Sequence, residues 1–119
     1  MDKTEFVVKR LEGEADAQQA YCCMTETPTP WREALCACRG WVAQNLGKYV
    51  EGYHVQAAGA VTNAVGDDAV VGHLYYAPSE RALVPYELEP GAAVIYCEWI
   101  HQRHQRQGLG RRLFDTLAA

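Results

Sequence analysis

The residues best suited to chemistry lie near the carboxyl end, where Gln105-Arg106-Gln107-Gly108-Leu109-Gly110 separates an apolar run from a helical one. Glycine has no Cβ, so the main chain can turn tightly there and bring several N–H groups toward one anion. The helix that follows adds the positive end of its dipole. Hydrogen bonds to a charged group contribute about 1.5–3 kcal/mol each, against about 0.3–1 kcal/mol for the dipole at an exposed site. Converging amides should therefore dominate, with arginines as auxiliaries. Arg103, Arg106, Arg111 and Arg112 crowd into this segment beside His101 and His104, although the chain holds only 11 Lys and Arg. The spacing excludes two commoner phosphate motifs. A P-loop needs four residues between its first Gly and a Gly-Lys-Ser/Thr, and a dinucleotide fingerprint needs a third Gly and a later ribose-binding acid. Arg111-Arg112-Leu113 stands there instead. A Gly-x-Gly pair by itself describes a tight strand-to-helix turn equally well.

Other reactive side chains form weaker patterns. His101 and His104 lack a Cys or acid at metal-ligand spacing and read as part of a solvated loop, so no metal is expected. Cys36 and Cys38, two apart on a helix, point in different directions, which disfavours chelation and suits Cys38 to the core. Cys97 has no activating histidine in its sequence context and reads as a buried free thiol rather than a nucleophile. Tyr75, Tyr76 and Tyr86 either line an acceptor pocket or cover the core. Glu80, Glu87 and Glu89, in a proline-rich stretch, either attract a cation or keep a loop in water.

Positioning the turn is the task of the elements around it. Phe6-Val7-Val8, flanked by charge, suits a strand over Glu5 to Leu11, ended by Glu12-Gly13-Glu14. Ala17, Ala20, Tyr21 and Met24 recur at helical spacing from Ala15, with Asp16 in the first turn. Thr29 followed by Pro30 offers a capping hydroxyl and a helix-compatible proline, and Trp31, Leu35, Cys38, Trp41, Val42 and Leu46 then form one stripe expected to be buried, up to a stop at Gly47. The period changes to two through Tyr53 to Ala57 and again through Ala69 to Tyr76, with Gly66-Asp67-Asp68 as the turn of an antiparallel hairpin. Prolines 78, 85 and 90 make Ser79 to Gly91 a loop. Ala92 to Ile100 is nearly all apolar, as for a strand covered on both faces, and a helix follows Gly110. The order is βααβββα, an α+β arrangement.

At 119 residues the chain, 1–119, is one domain. Half its residues are apolar, which excludes a disordered chain. A net charge of −4 argues against a general nucleic-acid binder. No basic leader precedes an apolar run and no stretch is long enough to cross a bilayer, so a cytoplasmic protein with no membrane partner is expected. Five cysteines match no disulfide framework and read as reduced thiols.

Gln105-x-x-Gly108-x-Gly110 after an apolar strand resembles motif A of the GNAT (Gcn5-related) N-acetyltransferase superfamily. Upstream, Gly66-Asp67-Asp68-Ala69-Val70-Val71-Gly72-His73-Leu74 resembles that family's hairpin and third strand. The resemblance is motif-specific over roughly residues 66 to 117 and agrees with the element order elsewhere. It implies a central, mostly antiparallel sheet and acetyl-CoA as cosubstrate. Coenzyme A pyrophosphate would lie on the main-chain amides of Gln105, Arg106, Gln107, Gly108, Leu109, Gly110 and Arg111, with pantetheine beside the strand ending at Ile100. A bulge in the fourth strand would present an amide near Glu98 or Trp99 to polarise the acetyl carbonyl during direct attack by a primary amine of a small molecule or peptide. Glu98, expected to share a face with Val94, Tyr96 and Ile100, is the candidate general base, its pKa raised by desolvation; a glutamate paired with a neighbouring arginine, or one at an exposed strand end, is the alternative. Family members often carry an aliphatic residue there. The resemblance also implies strands and a helix beyond Ala119, including one that often supplies a tyrosine general acid. Their lack leads to the expectation of a fragment, or of a homodimer that covers the open edge. The alternative to an enzyme is a non-catalytic module that binds coenzyme A or serves association.

Overall fold

The computed structural model describes residues 6–57, 70–85 and 87–119. The expected hairpin turn at Gly66-Asp67-Asp68 and the side chain of Tyr86 lie outside these residues. Alternating and apolar runs become strands β1 (Phe6–Arg10), β2 (Glu51–Ala57), β3 (Val70–Pro78) and β4 (Ala93–Ile100). They form one sheet in the order β1-β2-β3-β4, antiparallel throughout. Helices α1 (Gly13–Ala17) and α2 (Thr29–Asn45) join β1 to β2, and α3 (Leu109–Ala118) follows β4. The βααβββα order is as expected.

Each face of the sheet has its own core, because strand side chains alternate. On one face Leu109 and Leu113 of α3, one helical turn apart, pack with Phe6, Val55, Leu74 and Tyr76. Burying each leucine contributes about 2 kcal/mol. On the other, Ala17, Ala20 and Val42 of the α1–α2 layer pack with Leu11, Val50 and Tyr75.

The region from Ala15 to Met24 is not one helix. Tyr21 has φ 61° and separates α1 from a 3-10 turn at Cys22–Glu26. Its N–H donates to the buried Tyr75 hydroxyl at 2.9 Å, and its ring packs on Tyr75 and His73. Capture by the sheet outweighs helical spacing. Helix α2 begins one residue earlier than its cap signal: Pro28 is the N-cap, Thr29 and Pro30 lie in the first turn, and no side chain caps. Its stripe is also only partly enclosed. Val42 is buried, Leu35, Cys38, Trp41 and Leu46 are half-buried, and Trp31 is 65% exposed. Gly47, at φ +84°, ends the helix as expected.

Strand β4 also departs from expectation. Its composition suits burial on both faces, yet no residue in it is fully buried, since β3 pairs with one edge and no described strand pairs with the other. Tyr75 pairs with Cys97 but Tyr76 with Ile95, so Tyr96 is an extra residue in β4. The bulge turns consecutive residues Tyr96 and Cys97 toward the α2 layer. Tyr96 therefore does not share a face with Glu98, as strict alternation would have it.

Candidate functional site

The turn after β4 is tied down from within. Gln105 Nε2 donates to Ile100 O at 2.9 Å, and the N–H groups of His104 and Gln105 donate to His101 O and Gln102 O at 2.9 and 3.2 Å. The chain then passes through two left-handed residues, Arg106 at φ 63° and Gly108 at φ 78°, and enters α3. Only Gly108 takes that conformation without a Cβ clash. Arg112 N–H is the first of the helix to find a carbonyl, that of Gly108 at 3.0 Å. Among the described residues, the N–H groups of Arg106 through Arg111 take no protein acceptor. The N–H of Gln105, expected in the same set, is used internally.

This segment borders a cleft of about 330 Å³ lined by Glu98, Trp99, Ile100, His104, Gln105, Arg106, Gly108, Leu109 and Gly110. Most of the residues singled out from sequence thus meet at one place; Gln107 and Arg111 belong to the turn and first helical turn without lining the cleft. The Glu98 carboxylate faces the helix: a Cβ built on Gly110 would stand 3.6 Å from Glu98 Oε1. Partial desolvation there raises the Glu98 pKa, although the residue as a whole remains exposed. Arg112 reaches away from the cleft to donate to Phe6 O at 3.1 Å, and Arg111 lies 4.0 Å from Asp115. Of the clustered cations, Arg106 lines the cleft. The chemistry available is that of a nest of N–H donors at a positive helix end, beside an apolar strand edge with one carboxyl group.

Behind β4 lies a buried polar cluster that sequence reasoning missed. His101 is not part of a solvated loop; it is buried, with Nε2 at 2.9 Å from Cys22 O and its N–H on Val71 O. His104 stands edge-on to Phe6. Cys97 does have a histidine, His73 on the neighbouring strand, with Nε2 3.2 Å from Sγ. His73 Nδ1 is 3.5 Å from Cys22 Sγ, and its ring stacks on Tyr75 at 4.4 Å. His54 Nε2 is 2.8 Å from the Tyr75 hydroxyl. Tyr75 and Tyr76 are core residues. Burial lowers His54 to about 4 and His73 to about 3, and raises Cys97 to about 11. A polar residue placed inward in a strand, as His54 and His73 are, was the available signal.

Residues 23–119 match the profile of the Acetyltransferase (GNAT) family. The chain belongs to that family. No curated protein matches it. Among solved structures, a putative acetyltransferase of the GNAT family from Desulfovibrio desulfuricans is 18% identical with a TM-score of 0.60, covering 95% of this chain and 63% of that one. Ribosomal-protein-alanine N-acetyltransferase from Brucella melitensis biovar Abortus 2308 is also 18% identical, with a TM-score of 0.54, covering 96% of this chain and 69% of that one. At that identity they show the shared fold. The chain spans about two thirds of the length of these neighbours.

Proposed function

We propose that the protein is an N-acetyltransferase that moves an acetyl group from acetyl-CoA to a primary amine. The carrying observation is the row of N–H groups from Arg106 to Arg111, without protein acceptors among the described residues, in a segment whose Arg106, Gly108, Leu109 and Gly110 line a cleft together with the end of β4. In a GNAT family member this row is the place for the coenzyme A pyrophosphate, with Arg106 as an auxiliary charge at the cleft. Pantetheine runs along the open edge of β4 past Ile100 and Trp99 to Glu98, where a main-chain amide meets the acetyl carbonyl and stabilises the charge that develops on its oxygen. Glu98 is assigned the proton-accepting role toward the amine, helped by the desolvation that raises its pKa. The acceptor class is the amine of a small molecule or the amino terminus of a peptide; the name of the Brucella neighbour makes a peptide beginning with alanine a sensible first probe.

Titration calorimetry with coenzyme A and a thiol-release assay with acetyl-CoA and an amine panel test this. Micromolar binding and thiol release are expected. Gly108→Asp should abolish binding by setting a carboxylate where phosphate belongs, and binding that survives it shows the site to be elsewhere. Glu98→Gln should leave coenzyme A affinity unchanged and lower kcat about a hundredfold; an unchanged kcat removes Glu98 from the chemistry. Binding without thiol release from any amine favours the second reading, a non-catalytic coenzyme A-binding module.

A further inference from the structure

The exit of β4 is held by a turn that lies 73 to 76 residues earlier in the chain. Glu26 closes the 3-10 turn Cys22–Glu26. Its carboxylate accepts the Trp99 indole N–H on Oε1 at 3.2 Å, and the Gln102 main-chain N–H on Oε2 at 3.0 Å and Oε1 at 3.3 Å. Trp99 also packs against Cys22 and Val70. The same turn receives the His101 ring, with Nε2 2.9 Å from Cys22 O. It is itself braced: Thr27 Oγ1 donates to Cys23 O at 2.8 Å, and Arg32 Nε of α2 donates to Thr27 O at 2.9 Å.

These contacts fall where the chain passes from the strand to the glycine turn. Trp99 lines the cleft. Gln102 opens the short 3-10 turn Gln102–His104, and the Gln105 N–H returns to Gln102 O at 3.2 Å just before Arg106. Such a turn leaves its first N–H groups without internal partners. His101 is the N-cap residue, but its ring is turned inward to Cys22 O and caps nothing. The Glu26 carboxylate fills that role, and a carboxylate acceptor makes the stronger, charge-assisted form of the bond. One side chain thus fixes both ends of the stretch from Trp99 to Gln102.

We propose that Glu26 is a positioning residue for coenzyme A, holding Trp99 and Gln102 so that the strand end and the glycine turn keep their binding geometry before the ligand arrives; this rests on the assignment of coenzyme A to the α3 cleft. Glu26 does not line that cleft and acts through the two residues it bonds. A ligand whose site is formed in only a fraction of the molecules loses affinity by that fraction. Without the carboxylate, the indole and the first N–H of the turn are released, and their reordering opposes binding. Charge alone argues the other way. Coenzyme A is anionic, so removing a negative charge from the protein favours the complex electrostatically. A weaker complex therefore reports lost positioning.

Two measurements test this. In the ligand-free protein, a nitrogen–proton NMR spectrum carries one indole signal for each of the 3 tryptophans, and Trp99→Phe identifies that of Trp99. In Glu26→Ala the Trp99 signal should move upfield and exchange faster with water, while that of Trp41 stays. An unmoved Trp99 signal overturns the proposal. Titration calorimetry then reads the consequence for the ligand. Glu26→Ala should bind coenzyme A about tenfold more weakly than the wild-type protein. Glu26→Gln lacks the charge but keeps a carbonyl oxygen for the same donors, and should return affinity to within about threefold of wild type. An unchanged or tighter complex in Glu26→Ala overturns the proposal and leaves the cofactor assignment standing, as does a loss equally large in Glu26→Gln. Failure of the wild-type protein to bind coenzyme A overturns both.

Discussion

At the scale of the residue, the two glycines of the turn differ in what they contribute. Gly108 has φ 78° and nothing within 4 Å of a built Cβ, so its requirement is conformational. Gly108→Ala should destabilise by about 1 kcal/mol, the lower end of the left-handed penalty. Gly110 lies inside α3 with ordinary helical backbone, and its Cβ would meet Glu98 Oε1 at 3.6 Å, a normal contact. Gly110→Ala should fold at least as stably, since alanine is favoured in helices by about 1 kcal/mol. Urea denaturation of the pair checks the contrast, and equal losses at both positions would contradict it.

At the scale of the element, the approach of β3 to β4 depends on glycine. A Cβ on Gly72 would stand 2.5 Å from Ile100 Cδ1 and 2.9 Å from Trp99 O. The first atom can swing aside, but the second is main chain at the end of the strand that lines the cleft. Gly72→Ala should therefore cost about 2 kcal/mol by overpacking and displace Trp99 and Ile100. A lowered urea midpoint accompanied by weakened coenzyme A binding is the expected outcome. The exposed end of α2 offers the control: Trp31→Ala should change stability by less than about 0.5 kcal/mol.

For the whole molecule, the buried histidines couple stability to pH. His54 and His73 carry folded values of about 4 and about 3, depressed by desolvation from an ordinary 6.5. Between 6.5 and those values the unfolded chain binds more protons, so stability falls as pH falls. The contribution is fully present above about 6.5 and is lost progressively toward 3, at about 1.4 kcal/mol per pH unit for each ring. Denaturation midpoints at pH 7.5, 6.0 and 5.0 should decline accordingly, and His54→Gln, which can still bond the Tyr75 hydroxyl, should flatten the slope. A pH-independent midpoint would show that the rings are not neutral in the fold.

Local patterns, read along the chain, were enough to establish the strand and helix order, one antiparallel strand pair and the glycine turn, because alternation, helical spacing and Gly-x-Gly are properties of neighbours in sequence; the antiparallel sheet as a whole was implied by the resemblance to a family. The grouping of Glu98, Trp99 and Ile100 with the turn was implied by the resemblance, and the structure brings them to one cleft because only a few residues separate them. What tertiary structure alone decided involves partners far apart in the chain. Tyr21 breaks a helix to reach Tyr75, Cys97 finds His73 across a strand pair, and His101 turns inward to Cys22. The bulge at Tyr96 likewise depends on register with β3. Each of these follows from the need to give buried polar groups a partner once the sheet has closed over them, a demand that arises only when distant segments meet.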